Sequence, residues 1–168
     1  LELQSLCLYV LASIRRDTLK STEAGLKFFI LGALSSGLLL YGMSLIYGFT
    51  GSTEFSALAV ILTATNFQAP VGVIIGMVFV MAGLAFKIAA VPFHAWAPDA
   101  YEGAHAPVAA FLATASKAAG LAALGRVCWA IFKSPGNELL PEVSMVLAGL
   151  AVLSITVGSI IALAQTNL

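Results

Sequence analysis

The chain has 168 residues, 60% hydrophobic and 10% charged, with eight basic and eight acidic side chains and a formal net charge of zero. Soluble domains carry roughly 25% charged residues, so a mean hydropathy of +1.00 places the chain in a membrane and excludes a soluble domain. Zero net charge and the lack of any long basic run exclude nucleic acid as a partner and leave lipid as the surrounding medium.

The first apolar run, residues 1–14, is shorter than the ~20 residues a spanning helix needs. It opens inside a helix, without a Met or a charged leader, which predicts one piece of a longer subunit. Arg15, Arg16, Asp17 and Lys20 form a polar loop, and Ser21 or Thr22 is suited to cap a second helix over 22–49. Residues 51–68 read as a connection, in which Phe55, Leu58, Ile61 and Leu62 make a short apolar helical stripe able to lie flat in the interface. Pro70 opens a third helix, 70–102, broken near residue 92; a fourth covers 107–132 and a fifth 139–166. Cys7 and Cys128 both fall in apolar helices, where disulfide staples are not expected. The expected architecture is a single all-α transmembrane domain over 1–168, a multi-helix bundle with one proline-broken helix.

Charge orients this bundle. Arg15, Arg16, Lys20 and Lys27 surround the first loop, whereas the next connection holds only Glu54. Basic loops stay on the cytoplasmic or matrix side, and alternation then puts residues 96–106 on that same side.

Three ionisable residues, Glu2, Lys87 and Lys117, sit inside the apolar runs. Each lies roughly ten to thirteen residues from one end of its helix, about 15–18 Å at a rise of 1.5 Å per residue. That is about half of a ~30 Å hydrocarbon layer. A charge at that depth costs at least ~2.5–3.5 kcal/mol, and such residues mark ion or proton paths. Two blander readings stand beside a proton relay: the lysines snorkel to the interface, or Glu2 and one lysine form an inert buried pair. The second leaves one lysine unexplained.

Pro92 follows Lys87 by five residues. Proline removes a helical donor and clashes with the preceding turn, and freed backbone in a membrane is tolerated where protein or water satisfies it. A plain proline kink has the same sequence. On the fourth helix, Ala113-Thr-Ala-Ser-Lys117-Ala-Ala-Gly120 supplies small residues for close helix approach. Thr114 and Ser116 there carry hydroxyls that both donate and accept, as a proton wire requires. His94 suits proton exchange near neutral pH, but beside Trp96 a structural role competes. Asp99, Glu102 and His105 read as solvated loop residues, with a place at a proton entry as the alternative. Gly72 and Gly76 form a small-xxx-small pair, a weak signal by itself. No cysteine cluster, haem ligand pair or dinucleotide loop is present in the sequence, so no cofactor or metal is expected to bind this chain and driving energy must come from elsewhere.

Several blocks in fixed order carry a resemblance: Leu1-Glu2-Leu-Gln-Ser5-Leu, Ser21-Thr-Glu-Ala-Gly-Leu-Lys27, Gly83-Leu-Ala-Phe-Lys87 with Val91-Pro-Phe-His94, Ala97-Pro-Asp-Ala-Tyr-Glu-Gly103, and Ala113-Thr-Ala-Ser-Lys117. Together they resemble the antiporter-like membrane subunits of respiratory complex I, the proton-translocating NADH:quinone oxidoreductase. The resemblance implies an antiporter-like fold of about fourteen transmembrane helices, of which this chain is a central fragment. It also implies a glutamate paired with a lysine on a broken helix, and a second lysine that carries the proton inward; these roles fall on Glu2, Lys87 and Lys117. It implies other complex I membrane subunits as partners, neighbouring antiporter-like subunits among them. NADH, FMN, iron–sulfur clusters and quinone are expected in other subunits, and the location is a bacterial plasma (inner) membrane or the mitochondrial inner membrane. Where the family reads Gly-Ala-Pro-Thr-Pro, this chain has Gly103-Ala-His105-Ala-Pro107. A subunit of a multi-subunit cation/proton antiporter and a purely structural membrane spacer are the competing readings.

Overall fold

The computed structural model describes residues 2–15, 17–62, 70–131 and 141–164, with all side chains in these segments except those of Glu2, Ala130, Ile131 and Glu142. The described residues are almost entirely helical: α1 (Glu2–Ala12), α2 (Leu19–Thr50), α3 (Phe55–Leu62), α4 (Val71–Lys87), α5 (Trp96–Gly103), α6 (Ala106–Phe111), a π-helical turn (Leu112–Ser116), α7 (Lys117–Ile131) and α8 (Pro141–Ala164). Among the described residues three stretches are long and apolar enough to cross a membrane, Leu19–Thr50, Ala106–Trp129 and Val143–Ala164, while Leu3–Ala12 and Val71–Lys87 are shorter apolar helices.

The second helix starts earlier than its polar residues suggest. Thr18 precedes it in extended conformation and makes no side-chain cap bond. Ser21, expected to cap it, is fully buried and donates its hydroxyl 3.0 Å to the Ala12 carbonyl. The last carbonyls of a helix lack internal partners, so Ser21 closes the end of α1 instead of the start of α2. At the other end Gly51 adopts φ +70 and its N–H returns to the Tyr47 carbonyl at 2.7 Å. This is the left-handed helix stop that glycine permits.

Helices α2 and α4 make the main packing pair. A Cβ added at Gly42 would lie 2.7 Å from the Gly76 carbonyl oxygen, and one at Gly76 would lie 2.9 Å from the Gly42 oxygen. The two backbones therefore touch at these glycines, and the Gly72–Gly76 pair is the contact surface of α4, with Gly72 set against the Phe49 ring. The apolar stripe of α3 is divided: Leu58 and Leu62 are buried, in one core with Leu39, Ile46, Met77, Met81 and Leu124, while Phe55 is exposed.

A second core sits at the end where α5 closes over α1 and α2, built from Tyr9, Phe28, Phe86, Trp96, Ala100 and Leu112. Trp96 is 2% exposed, stacks on Phe28 at 4.4 Å and donates its indole N–H 3.1 Å to the Phe86 carbonyl. Gly103 meets the backbone of Lys20 in the same contact. Asp99 and Glu102, expected as solvated loop residues, stand on α5 and pair with α2: Lys20 binds Glu102, and Lys27 binds Asp99 at 2.9 Å and Glu23 at 2.7 Å. Exposed pairs of this kind orient more than they stabilise. They hold residues 96–103 at the same end of the bundle as the basic loop, as alternation requires.

Candidate functional site: two lysines at interrupted helices

The break in the third helix is wider than a kink at residue 92. Helix α4 stops at Lys87 and α5 starts at Trp96, with turns between. Pro92 has no N–H to give the Ile88 carbonyl, so helical bonding fails one turn upstream of the proline. Ala89 adopts φ +57, a left-handed conformation costing a non-glycine residue about 1–2 kcal/mol. The loop is held by substitutes for helix bonds: Ala90 N–H to Ala85 at 2.9 Å, Phe93 N–H to Ala90 at 2.7 Å, and Val91 N–H to the Ser154 hydroxyl of α8 at 3.0 Å. Irregular backbone at membrane depth is tolerated where protein satisfies it.

Lys87 is thus the last residue of a helix, half-buried, with its ammonium donating 2.6 Å to the Ser5 hydroxyl of α1. Ser5 is itself 8% exposed and was not singled out in the sequence, where a lone serine in an apolar run carries no signal. Glu2 precedes it by three residues, a spacing that puts the two positions on one helix face. The Glu2 side chain lies outside the described residues, so the Glu2–Lys87 pairing does too.

Lys117 follows a second interruption. The fourth helix is not uniform: residues Leu112–Ser116 form a π turn, and Lys117 is the first residue of α7 beyond it. Such one-turn bulges recur at functional sites, and nothing in the Ala-Thr-Ala-Ser sequence announces one. Lys117 is half-buried, its ammonium 5.2 Å from the centroid of the Tyr101 ring, within cation–π range. Tyr101 in turn packs edge-on against Trp96 at 6.2 Å. Three residues past Lys117, Gly120 meets Ile88 and the Cβ of Lys87, where an added Cβ would lie 2.9 Å and 3.5 Å away. Small residues therefore bring α7 against the end of α4 on one face only; Ala118, Ala119 and Ala122 are exposed.

The secondary candidates divide. His94 lies in the break, half-buried, and lines the same cavity as Lys117. Thr114 is exposed and donates 2.7 Å to the Ala110 carbonyl of its own helix, which engages its proton locally. Ser116 is half-buried in the π turn. His105 is exposed and precedes α6, with Pro107 in the first turn, the position where a missing N–H costs nothing. Among the described residues no group of three or more His, Cys, Asp or Glu is placed to hold a metal ion.

The chain is similar in sequence and in fold to known proteins. Subunit N of the NADH-quinone oxidoreductase of Parvibaculum lavamentivorans is 52% identical over all 168 residues, and that of Rhodospirillum rubrum is 53% identical. The chain spans 34% of the length of each. Among solved structures, a chain of respiratory complex I from Thermus thermophilus superposes with a TM-score of 0.74 at 39% identity, over 96% of this chain and 32% of that one. A chain of the membrane-bound sulfane sulfur reductase, an archaeal respiratory membrane complex, superposes with a TM-score of 0.70 at 32% identity, over 80% of this chain and 27% of that one. The model of the family described as NADH:quinone oxidoreductase/Mrp antiporter, transmembrane, matches residues 1–168, and the chain belongs to that family.

Proposed function

We propose that this chain is the part of a proton-translocating membrane subunit of an NADH:quinone oxidoreductase that carries its mid-membrane relay, with Glu2, Lys87 and Lys117 as the proton sites. The observation that carries the reading is the pairing of two lysines with two helix interruptions. Lys87 ends α4 at the break, Lys117 follows the π turn, and Gly120 brings the two helices together there. A lysine moved into low dielectric favours its neutral form and a nearby carboxylate favours the charged one. A change in the Glu2 charge or its distance would therefore switch Lys87 between holding and releasing a proton. Lys117 then receives the proton or passes it on through hydrated polar groups. Redox energy arrives from other subunits, which hold NADH, FMN, iron–sulfur clusters and quinone; this chain contributes no redox group. The partners are the other membrane subunits of complex I, including adjacent antiporter-like ones, in a bacterial plasma membrane or a mitochondrial inner membrane.

The test is Lys117→Arg and Lys117→Ala in the intact complex. Arginine keeps the charge but does not release its proton at accessible pH, while alanine suits the surrounding Ala-rich helix. Both variants are expected to assemble and to lose proton uptake into sealed vesicles, with quinone reduction slowed to the degree that the two are coupled. Normal pumping by the Arg variant removes Lys117 from the relay.

A further inference from the structure

The break between α4 and α5 leaves one backbone donor that its own segment does not satisfy. Within 88–93 the N–H groups of Ile88, Ala89, Ala90 and Phe93 all bond to carbonyls of residues 84–90, and proline has none to offer. The Val91 N–H instead leaves the segment and donates 3.0 Å to the Ser154 hydroxyl of α8. Val91 is 7% exposed. A buried donor without a partner is costly, so the break requires an acceptor at this point.

Packing does little to fix α8 there. Its first turns meet the bundle through the apolar residues Val143, Val146 and Leu147. Even so, a gap of about 270 Å³ lies between Met77 and Met81 of α4 and Val143 and Met145 of α8. On the other side of Ser154, a gap of about 770 Å³ lies between Gly158 and Lys117. Val152, Leu153 and Ile155, which flank Ser154, are exposed.

We propose that Ser154 is a positioning residue: its hydroxyl pins the break through the Val91 N–H and thereby places Lys87 for proton exchange. This rests on the reading of Lys87 as a proton site. Val91 lies four residues past Lys87, so its N–H would bond the Lys87 carbonyl if the helix continued. Ala89 holds a left-handed conformation, φ +57, that is unfavourable by itself. Without the acceptor on α8, the segment relaxes toward a continued helical turn, which satisfies the Val91 donor and releases Ala89. Ile88 and Lys87 then shift against Gly120, where an added Cβ would lie 2.9 Å from Ile88. The 2.6 Å bond from Lys87 to Ser5 lengthens or breaks with that shift. Ser154 acts through this one backbone bond and not as a proton carrier.

In the intact complex, Ser154→Ala removes the acceptor and Ser154→Thr keeps it, while Ser154→Val matches threonine in shape without the hydroxyl. Thr156→Ala is the control, because the Thr156 hydroxyl serves the Val152 and Leu153 carbonyls of its own helix. The Ala and Val variants are expected to assemble and to exchange the Val91 amide with deuterium at a rate raised about 10-fold. In sealed vesicles they are expected to take up several-fold fewer protons per quinone reduced. Thr should restore both readings, and Thr156→Ala should match the parent. Unchanged exchange at Val91, or faster exchange with normal uptake, overturns the pin. So does an uptake defect shared equally by Thr and Val, which is an effect of volume. Loss of assembly in Ala and Val, with Thr assembled, assigns Ser154 to folding alone and also overturns it. Arginine at 87 keeps the charge and does not release its proton. Normal pumping by Lys87→Arg alongside a defect in Ser154→Ala therefore overturns the reading of Lys87 as a proton site instead, which separates the two failures.

Discussion

Substituting Gly42 by alanine should separate the two helices that position Lys87, and the size of the effect follows from the contact distances. An alanine Cβ at 42 would lie 2.7 Å from the Gly76 oxygen and 2.9 Å from the Val80 nitrogen, against 3.4 Å for ordinary contact. The difference, 3.4 − 2.7, is 0.7 Å, and both obstacles are backbone atoms that no side-chain rotation relieves. A radial gap of about 0.5–1 Å already forfeits a quarter to a half of each dispersion well along a seam. Overpacking of a well-packed contact costs about 1–3 kcal/mol. Gly48, on the same helix, has nothing within 4 Å of its added Cβ. There the gain in helix propensity, about 0.5–1 kcal/mol, should appear alone. The expected order of heat resistance for the intact complex is therefore Gly48→Ala at or above the parent and Gly42→Ala clearly below it. Gly76→Ala should resemble Gly42→Ala, and the double variant should cost less than the sum of the two, since the second substitution enters a seam already opened by the first. The measurement is the fraction of complex surviving graded heating, read on native gels. Equal survival of Gly42→Ala and Gly48→Ala would refute the claim that backbone contact at Gly42 and Gly76 sets the α2–α4 crossing.

Two further outcomes follow from single contacts. Ser5→Ala removes the 2.6 Å acceptor of the Lys87 ammonium, a bond of a class worth about 1.5–3 kcal/mol; proton uptake by sealed vesicles should fall several-fold with assembly retained, and unchanged uptake would mean that Ser5 does not position Lys87. Trp96→Phe keeps an aromatic ring against Phe28 but loses the bond to the Phe86 carbonyl, at about 0.5–1.5 kcal/mol, whereas Trp96→Ala empties a site that is 2% exposed, at about 3–5 kcal/mol; yields of assembled complex should rank parent, Phe, Ala, and a Phe variant as poor as Ala would shift the weight from packing to the hydrogen bond.

The class of the protein, the place of its apolar helices and its break near Pro92 were all legible in the sequence. Each is set by local chemistry: apolar length, the missing proline N–H and the cost of charge in hydrocarbon do not depend on distant residues. The family resemblance came from the same blocks, because residues 83–94 and 113–117 keep side-chain order as well as type. Tertiary structure decided where each of these local facts leads. Ser21 is a cap candidate for the helix it lies in, yet its hydroxyl serves the Ala12 carbonyl of another helix, since the tight turn puts the end of α1 beside it. Asp99 and Glu102 look like loop acids, but α5 folds back onto α2 and pairs them with Lys27 and Lys20. Ser5 stands in one of the resemblance blocks, but nothing in the sequence gives it a role; only the docking of α4 against α1 brings Lys87 to it. The π turn before Lys117 lies between α6 and α7, where Ala-Thr-Ala-Ser suits an ordinary helix equally well. The cavity that joins His94, Tyr101 and Lys117 exists only because residues 94, 101, 117 and 154–162 converge from four separate elements. Sequence spacing reports which residues share a helix face; which faces meet is a property of the packed bundle.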